Sequence, residues 1–415
     1  MALTGIPGTT ETHVRRRRVY HIGGYDPAPP SAVFERFTRE LRRFERAWGT
    51  HASTTELEVS GDLASWQVSA SGSNWRTEIE MRLVRWDDVI VGSGVQPTWR
   101  RLVPAVIAFC DFLVAGAFTA YLRSSWRYAL FFLYPILILA LAGSVSAAAA
   151  AFILNSTGSY FAAILTLFIS LYATLYAADR LLYLNILIED WIFSHRYVRK
   201  GDSILNDRLQ RIAEEIARNA PADQADEILI IGHSLGAVLA IDLIDRAMKI
   251  QLDQSGNTRR LAFFSVGAST LKIGLHRAAS GFRAAIGRVS SNLDVLWVDY
   301  RARSDVMNFF GAEMLRDLKL RPASSPLVRN VSIRRMIAPG RYPRIRKNWY
   351  KMHCQFVRGN DRRAPYDYFM TACGPLPAEC IARSERGAMD YFDTEGQLID
   401  SGDFACDLKG GTARK

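Results

Sequence analysis

The chain has 415 residues and a mass of 46.6 kDa, with 52 Lys/Arg against 41 Asp/Glu. Apolar residues make up 49% and charged ones 22%, with 29 Gly and 15 Pro, which excludes a disordered, collagenous or coiled-coil chain. Five cysteines without a C-x-x-C pair argue against a disulfide scaffold or a zinc cage and suit a reducing compartment.

The charge is uneven. Residues 1–101 hold 14 Lys/Arg against 12 Asp/Glu, residues 102–194 hold 3 against 4, and residues 195–415 hold 35 against 25. This divides the chain into an N-terminal soluble part, a membrane insert and a C-terminal soluble part. At the start, Arg15–Arg18 stand where a signal peptide would need an apolar core, so no such peptide is expected. Arg18–Ile22 reads as a short strand running into His21-Ile22-Gly23-Gly24-Tyr25. Ser31 caps a helix through Trp48, with Val33, Phe34, Phe37, Leu41 and Phe44 at helical spacing. Thr55–Val59, Trp66–Ala70 and Trp75–Trp86 alternate like antiparallel strands.

Two uncharged stretches follow, 128–154 and 159–178, each about the ~20 residues needed to cross hydrocarbon. Gly143, Ser144, Ser146 and Ala147–Ala151 give the first a small-residue face for close packing in a hairpin. Leu102–Leu122 is long enough to span, but Asp111 at its centre costs ~2.5–3.5 kcal/mol on insertion scales. It is expected to lie at the interface or pack on the soluble domain. Leu181–Phe193 reads as a juxtamembrane helix. The loop between the two spans has no basic residue. The flanks carry Arg100, Arg101, Arg123 and Arg127 before it, and Arg180, Arg196, Arg199 and Lys200 after it. An integral membrane protein with its soluble parts and both termini in the cytoplasm is therefore expected.

Beyond the insert, Ile204–Asn219 reads as an amphipathic helix. Glu227–Ile231, Leu261–Val266 and Leu293–Tyr300 read as strands, and Leu235–Met248 as a helix. Val328–Met336 and Trp349–Val357 are weaker strand candidates, and the tail from Ser384 is polar. Alternating strands and helices imply a mainly parallel sheet with helices on both faces.

The passage that carries chemistry is Gly232-His233-Ser234-Leu235-Gly236, between a buried strand and an apolar helix. A nucleophilic serine needs such a sharp turn, which lifts its hydroxyl above the sheet and requires glycines two residues to either side. Here the chain resembles the α/β-hydrolase superfamily, in particular its lipase- and esterase-like members with G-H-S-L-G. The resemblance covers residues 18–48 and 227–310, and the last hundred residues loosely. It implies an α/β-hydrolase-like sheet interrupted by a transmembrane helical hairpin, and a triad in the order Ser, Asp, His.

On that resemblance Ser234 is the nucleophile and Asp305, just past the strand ending near Tyr300, is the acid, with Asp299 the runner-up. His353 is the base, because it alone of the seven histidines follows Asp305. The oxyanion site implied is Leu235 N–H with a second donor from the His21–Gly24 loop, for which Gly23 is taken.

Residues 316–363 carry 14 Lys/Arg against two acids, which suits anionic headgroups; no nucleic-acid module accompanies them. No motif implies a cofactor or a metal. The expectation is a membrane-anchored serine hydrolase of a lipid or other lipophilic ester. An acyltransferase using the same triad, or an inactive hydrolase scaffold serving as a tethered binding module, are its alternatives.

Overall fold

The computed structural model describes residues 13–94, 98–218, 225–253 and 261–399. The N-terminal part runs β1 (Arg16–Ile22), α1 (Pro30–Trp48), β2 (His51–Thr54), β3 (Glu58–Ser60), β4 (Leu63–Ser71), β5 (Arg76–Val84) and α2 (Asp87–Gly94). Next come α3 (Thr98–Val114), α4 (Ala117–Ser124), α5 (Trp126–Thr157), α6 (Tyr160–Leu182) and α7 (Leu184–Arg199). The chain then returns through α8 (Ser203–Arg218), β6 (Glu227–His233), α9 (Gly236–Asp253), β7 (Leu261–Val266), α10 (Thr270–Gly274), α11 (Ser280–Ser291) and β8 (Val295–Ala302). Short elements finish it: α12 (Met314–Asp317), β9 (Leu327–Val331), α13 (Ile333–Met336), α14 (Tyr342–Ile345), α15 (Trp349–His353), α16 (Tyr368–Cys373) and α17 (Ala378–Arg383). The fold is α/β, with a mostly parallel mixed sheet.

One nine-stranded sheet joins the two soluble parts. Its order is β2-β4-β5-β1-β6-β7-β8-β9, with β3 beside β4. From β5 to β9 along this order every pairing is parallel, and the antiparallel pairings are β2 with β4, β3 with β4 and β4 with β5. β1 is the seam. It pairs with β5 on one side and, from Arg17 opposite Glu227 to Ile22 opposite Gly232, with β6 on the other. The expected antiparallel strands are present as β4 and β5, paired with each other, while in place of a single Thr55–Val59 strand there are two short ones, β2 and β3, on either side of residues 55–57.

The two-residue period of the strands sorts the core. Tyr20, Ile22, Ile228 and Ile230 face one layer, built from α8, α9, α11 and the inner ends of the membrane insert. Val19, Leu229 and Ile231 face the other, with α1 and α16. Pro30 in the first turn starts α1, and Gly49 at φ 68° stops it in the left-handed conformation that glycine adopts without a Cβ penalty.

Two helices are long and apolar enough to cross a membrane, α5 and α6. With 32 residues α5 is ~48 Å long, well over the ~30 Å of hydrocarbon. Its first turns are sunk in the soluble core, where Tyr128 stacks on Phe309 at 3.8 Å and Phe132 is buried. Gly158 in the left-handed region ends α5, and the Ser159 side chain caps α6 by accepting from Ala162 N–H.

The apolar run before them is broken at Gly116 (φ 74°), where α3 and α4 bend by 67°. Asp111 accepts hydrogen bonds from Arg199 and, at 3.0 Å, from His276 Nε2, and Tyr121 Oη donates to the Lys272 carbonyl at 2.7 Å. These bonds dock α3 and α4 onto the soluble domain, with Val103, Val106 and Ile107 left exposed.

Three expectations need correction. Trp349–Val357 is not a strand. It is α15 followed by a 3-10 turn, because Asn348 caps the segment by accepting from Lys351 N–H at 2.9 Å. Val328–Met336 is β9 followed by α13. Cys380 is disulfide-bonded, which departs from reading the cysteines as a reduced set. The polar tail is described only as far as residue 399, and to that point it is not free: Phe392 packs edge-on against Trp48 at 5.4 Å.

Candidate active site

Ser234 sits between β6 and α9 with φ 55°, a left-handed conformation rare for a residue with a side chain. The flanking glycines are steric requirements. A Cβ on Gly232 would lie 2.6 Å from Ala237 Cα, and one on Gly236 would lie 2.1 Å from the Ile22 carbonyl oxygen. The elbow is thus pressed onto the end of β1.

His353 and Asp305 meet. His353 Nδ1–H donates to Asp305 Oδ2 at 2.9 Å, with both side chains buried. The other carboxylate oxygen accepts from Met307 N–H at 2.9 Å, so the acid is held on both sides. His353 Nε2 is buried with no hydrogen-bond partner among the described residues. Ser234 and His353 line one cavity. The serine hydroxyl is not bonded to the imidazole; it lies 3.4 Å from Ser269 Oγ.

The alternatives are occupied elsewhere. Asp299 accepts from Ser265 Oγ at 2.7 Å and pairs with Arg301 at 2.6 Å inside the sheet. His276 and His195 both approach Asp111, at 3.0 and 3.6 Å, and line no part of this cavity.

Of the donors expected for an oxyanion, Leu235 N–H has no acceptor among the described residues. Gly23 is set back. A Cβ there would meet only His21 Nε2, at 4.0 Å, and its carbonyl accepts from Trp86 Nε1 at 3.2 Å. Gly24 makes the close approach, since a Cβ on it would come 2.9 Å from Ser234 Cβ. If Ser234 acts as a nucleophile, Gly24→Ala is expected to displace it and lower kcat by ~10²-fold, because misplacing a reacting group by ~1 Å has that effect. Undiminished turnover of an activated ester by this variant would show that the glycine plays no part.

The parts played by three residues of the site were not legible in the sequence. His233, in the variable position of the elbow, donates from Nε2 to the His353 carbonyl at 3.2 Å, and burial beside His353 holds its pKa well below the ordinary value. It braces the other histidine as a neutral ring. His21, which accepts from Tyr368 Oη at 3.2 Å, is likewise kept neutral, its pKa lowered to about 4 by burial and by Arg36. Ser269 also accepts no signal from spacing; its N–H donates to the Ser234 carbonyl at 3.2 Å and fixes the elbow from the side of β7.

The cavity extends to α7 and α15, which pack beside the two long apolar helices. Its walls include Ile186 and Leu187 of α7, and Trp349 and Tyr350 of α15. Trp349 packs on Phe131 of α5 at 5.0 Å, and Tyr350 stacks on Tyr183, between α6 and α7, at 4.6 Å. Asn348 donates to Tyr183 Oη at 3.1 Å. No group of three or more His, Cys, Asp or Glu among the described residues is arranged to hold a metal ion. Comparison of the chain with protein-family models, with curated proteins and with solved structures finds no match.

Proposed function

We propose that the protein is a membrane-anchored serine hydrolase of α/β-hydrolase type, acting on a lipid or other lipophilic ester. The observation that carries this reading is the strained Ser234 at a strand-to-helix elbow, sharing a cavity with a histidine whose Nδ1 is bonded to a buried carboxylate. In this account Ser234 Oγ turns from Ser269 towards the unpartnered His353 Nε2, loses its proton to it and attacks the ester carbonyl. Asp305 holds the histidine tautomer and stabilises the imidazolium. Leu235 N–H, with an N–H of the Gly23-Gly24 pair, receives the oxyanion. His353 returns its proton to the departing alcohol, and water then releases the acyl group from Ser234 by the same route.

The apolar walls next to the hairpin support delivery of substrate from the bilayer. The basic stretch supports contact with anionic headgroups on the same side, because exposed Arg344, Arg346 and Lys347 immediately precede the α15 residues that touch Phe131 and Tyr183. By the charge of the flanks, that side is the cytoplasmic one.

The test is turnover of 4-nitrophenyl esters of increasing acyl length by the full-length protein in neutral detergent micelles. The reading predicts turnover that rises from acetyl to long acyl chains and disappears in Ser234→Ala. Absence of turnover with every chain length would overturn it.

A further inference from the structure

Charged side chains line the cavity in pairs, with one exception. Arg36 is paired with Asp26 at 2.9 Å, Arg85 with Asp87 at 3.3 Å, and Asp190 takes the buried ammonium of Lys272. Arg358 is also in the wall, half-buried, and its guanidinium has no ion pair or hydrogen bond among the described residues.

Its placement is fixed by the backbone. Arg358 N–H donates to the Gln355 carbonyl at 3.3 Å, and Gly359 N–H donates to Glu40 Oε2 at 3.2 Å. A Cβ on Gly359 would lie 2.4 Å from the Glu40 carbonyl oxygen, so the turn is pressed against α1. The backbone that carries Arg358 therefore has a defined position in the same cavity wall as His353, one 3-10 turn further along the chain.

A planar guanidinium partly withdrawn from water, with no acceptor among the described residues, matches a phosphate or carboxylate that accepts two parallel hydrogen bonds. Most of the remaining wall is apolar, with Val33, Leu83, Ile186, Leu187 and Trp349, and suits an acyl chain. We propose that Arg358 is an anion subsite of the cavity and that the ester cleaved at Ser234 is an anionic amphiphile of the lysophospholipid class, its phosphate on Arg358. This rests on the hydrolase reading for the cleavage but not for the binding.

The experiment separates the two. Full-length protein in neutral detergent micelles is given oleoyl lysophosphatidic acid and 1-oleoylglycerol, and the ratio of kcat/KM values is compared between wild type, Arg358→Gln and Arg358→Lys. Arg277→Gln, which removes the same charge at an exposed position outside both the cavity lining and the basic stretch, is the control. In parallel, binding of both amphiphiles and of inorganic phosphate alone is measured on Ser234→Ala with and without Arg358→Gln.

Loss of a charge-assisted hydrogen bond should lower the anionic-to-neutral ratio by ~10-fold or more in Arg358→Gln, with partial recovery in Arg358→Lys and none lost in the control. Lysophosphatidic acid should bind Ser234→Ala at least ~10-fold more tightly than it binds the double variant. Equal turnover of both esters by wild type, or lysophospholipid binding indifferent to Arg358, would overturn the subsite and leave the hydrolase reading standing. Arg358-dependent binding without cleavage of either ester would keep the subsite and remove the hydrolase. Inorganic phosphate binding as tightly as the lysophospholipid would make free phosphate the ligand and overturn the lipid assignment.

Discussion

Single cysteines at positions 51 and 385 are expected to label from one side of the membrane, and a cysteine at 157 from the other. His51, Thr157 and Glu385 are all exposed, and the native five cysteines are first replaced. The reason is the seam of the sheet. β1 lies before the insert and β6 after it, yet they are hydrogen-bonded neighbours over six registered pairs. A chain that crosses an odd number of times would leave them on opposite sides, and the sheet would not form.

The pair α5 and α6 is long and apolar enough to supply two crossings. A third, through α3 and α4, is opposed by the 67° bend at Gly116 and by the bonds that Asp111 and Tyr121 make to the soluble domain. With impermeant reagent applied to intact cells, the charge of the flanks predicts reaction at 157 and none at 51 or 385. Reaction at 51 and 385 together, with none at 157, would invert the orientation while keeping the even count. Labelling of 51 and 385 from opposite sides would contradict the fold itself.

Ser234→Ala and His353→Ala should each lower ester turnover by ~10⁴–10⁶-fold, since members of a triad act as a unit and removing either one costs nearly as much as removing all. Asp305→Asn should cost ~10⁴-fold, about 5.5 kcal/mol of activation free energy, because an amide favours the wrong imidazole tautomer. The buried acid has no slack to compensate, with one oxygen on His353 Nδ1 and the other on Met307 N–H. His195→Ala, which removes a group near Asp111, should leave turnover within twofold. All variants should still insert and melt cooperatively. Near-normal turnover in His353→Ala would dismiss this histidine as the base.

The sequence was most readable where one local rule dominates. The β6 run is apolar on both faces because a central parallel strand is covered twice, and the glycines around Ser234 mark a turn in which a Cβ has no room. The two long apolar helices were visible as absence of charge. The α15 segment failed because its alternating apolar residues outweighed a single capping residue, Asn348, which decides between strand and helix. Asp299 was separated from Asp305 only by partners distant in sequence, Ser265 and His353. The bracing role of His233 depends on a carbonyl 120 residues away, and no spacing rule carries that information. The same is true of Gly24 against Gly23, where the approach to Ser234 is a property of the packed loop.

The central claim is that Ser234 is an activated nucleophile. It is tested most directly by treating the full-length protein with a fluorophosphonate probe and locating the adduct by peptide mass spectrometry. A single stoichiometric adduct on Ser234 is expected, formed rapidly in wild type, absent in Ser234→Ala, and slowed by several orders of magnitude in His353→Ala. Failure of wild type to label, or an adduct on any other serine, would contradict it.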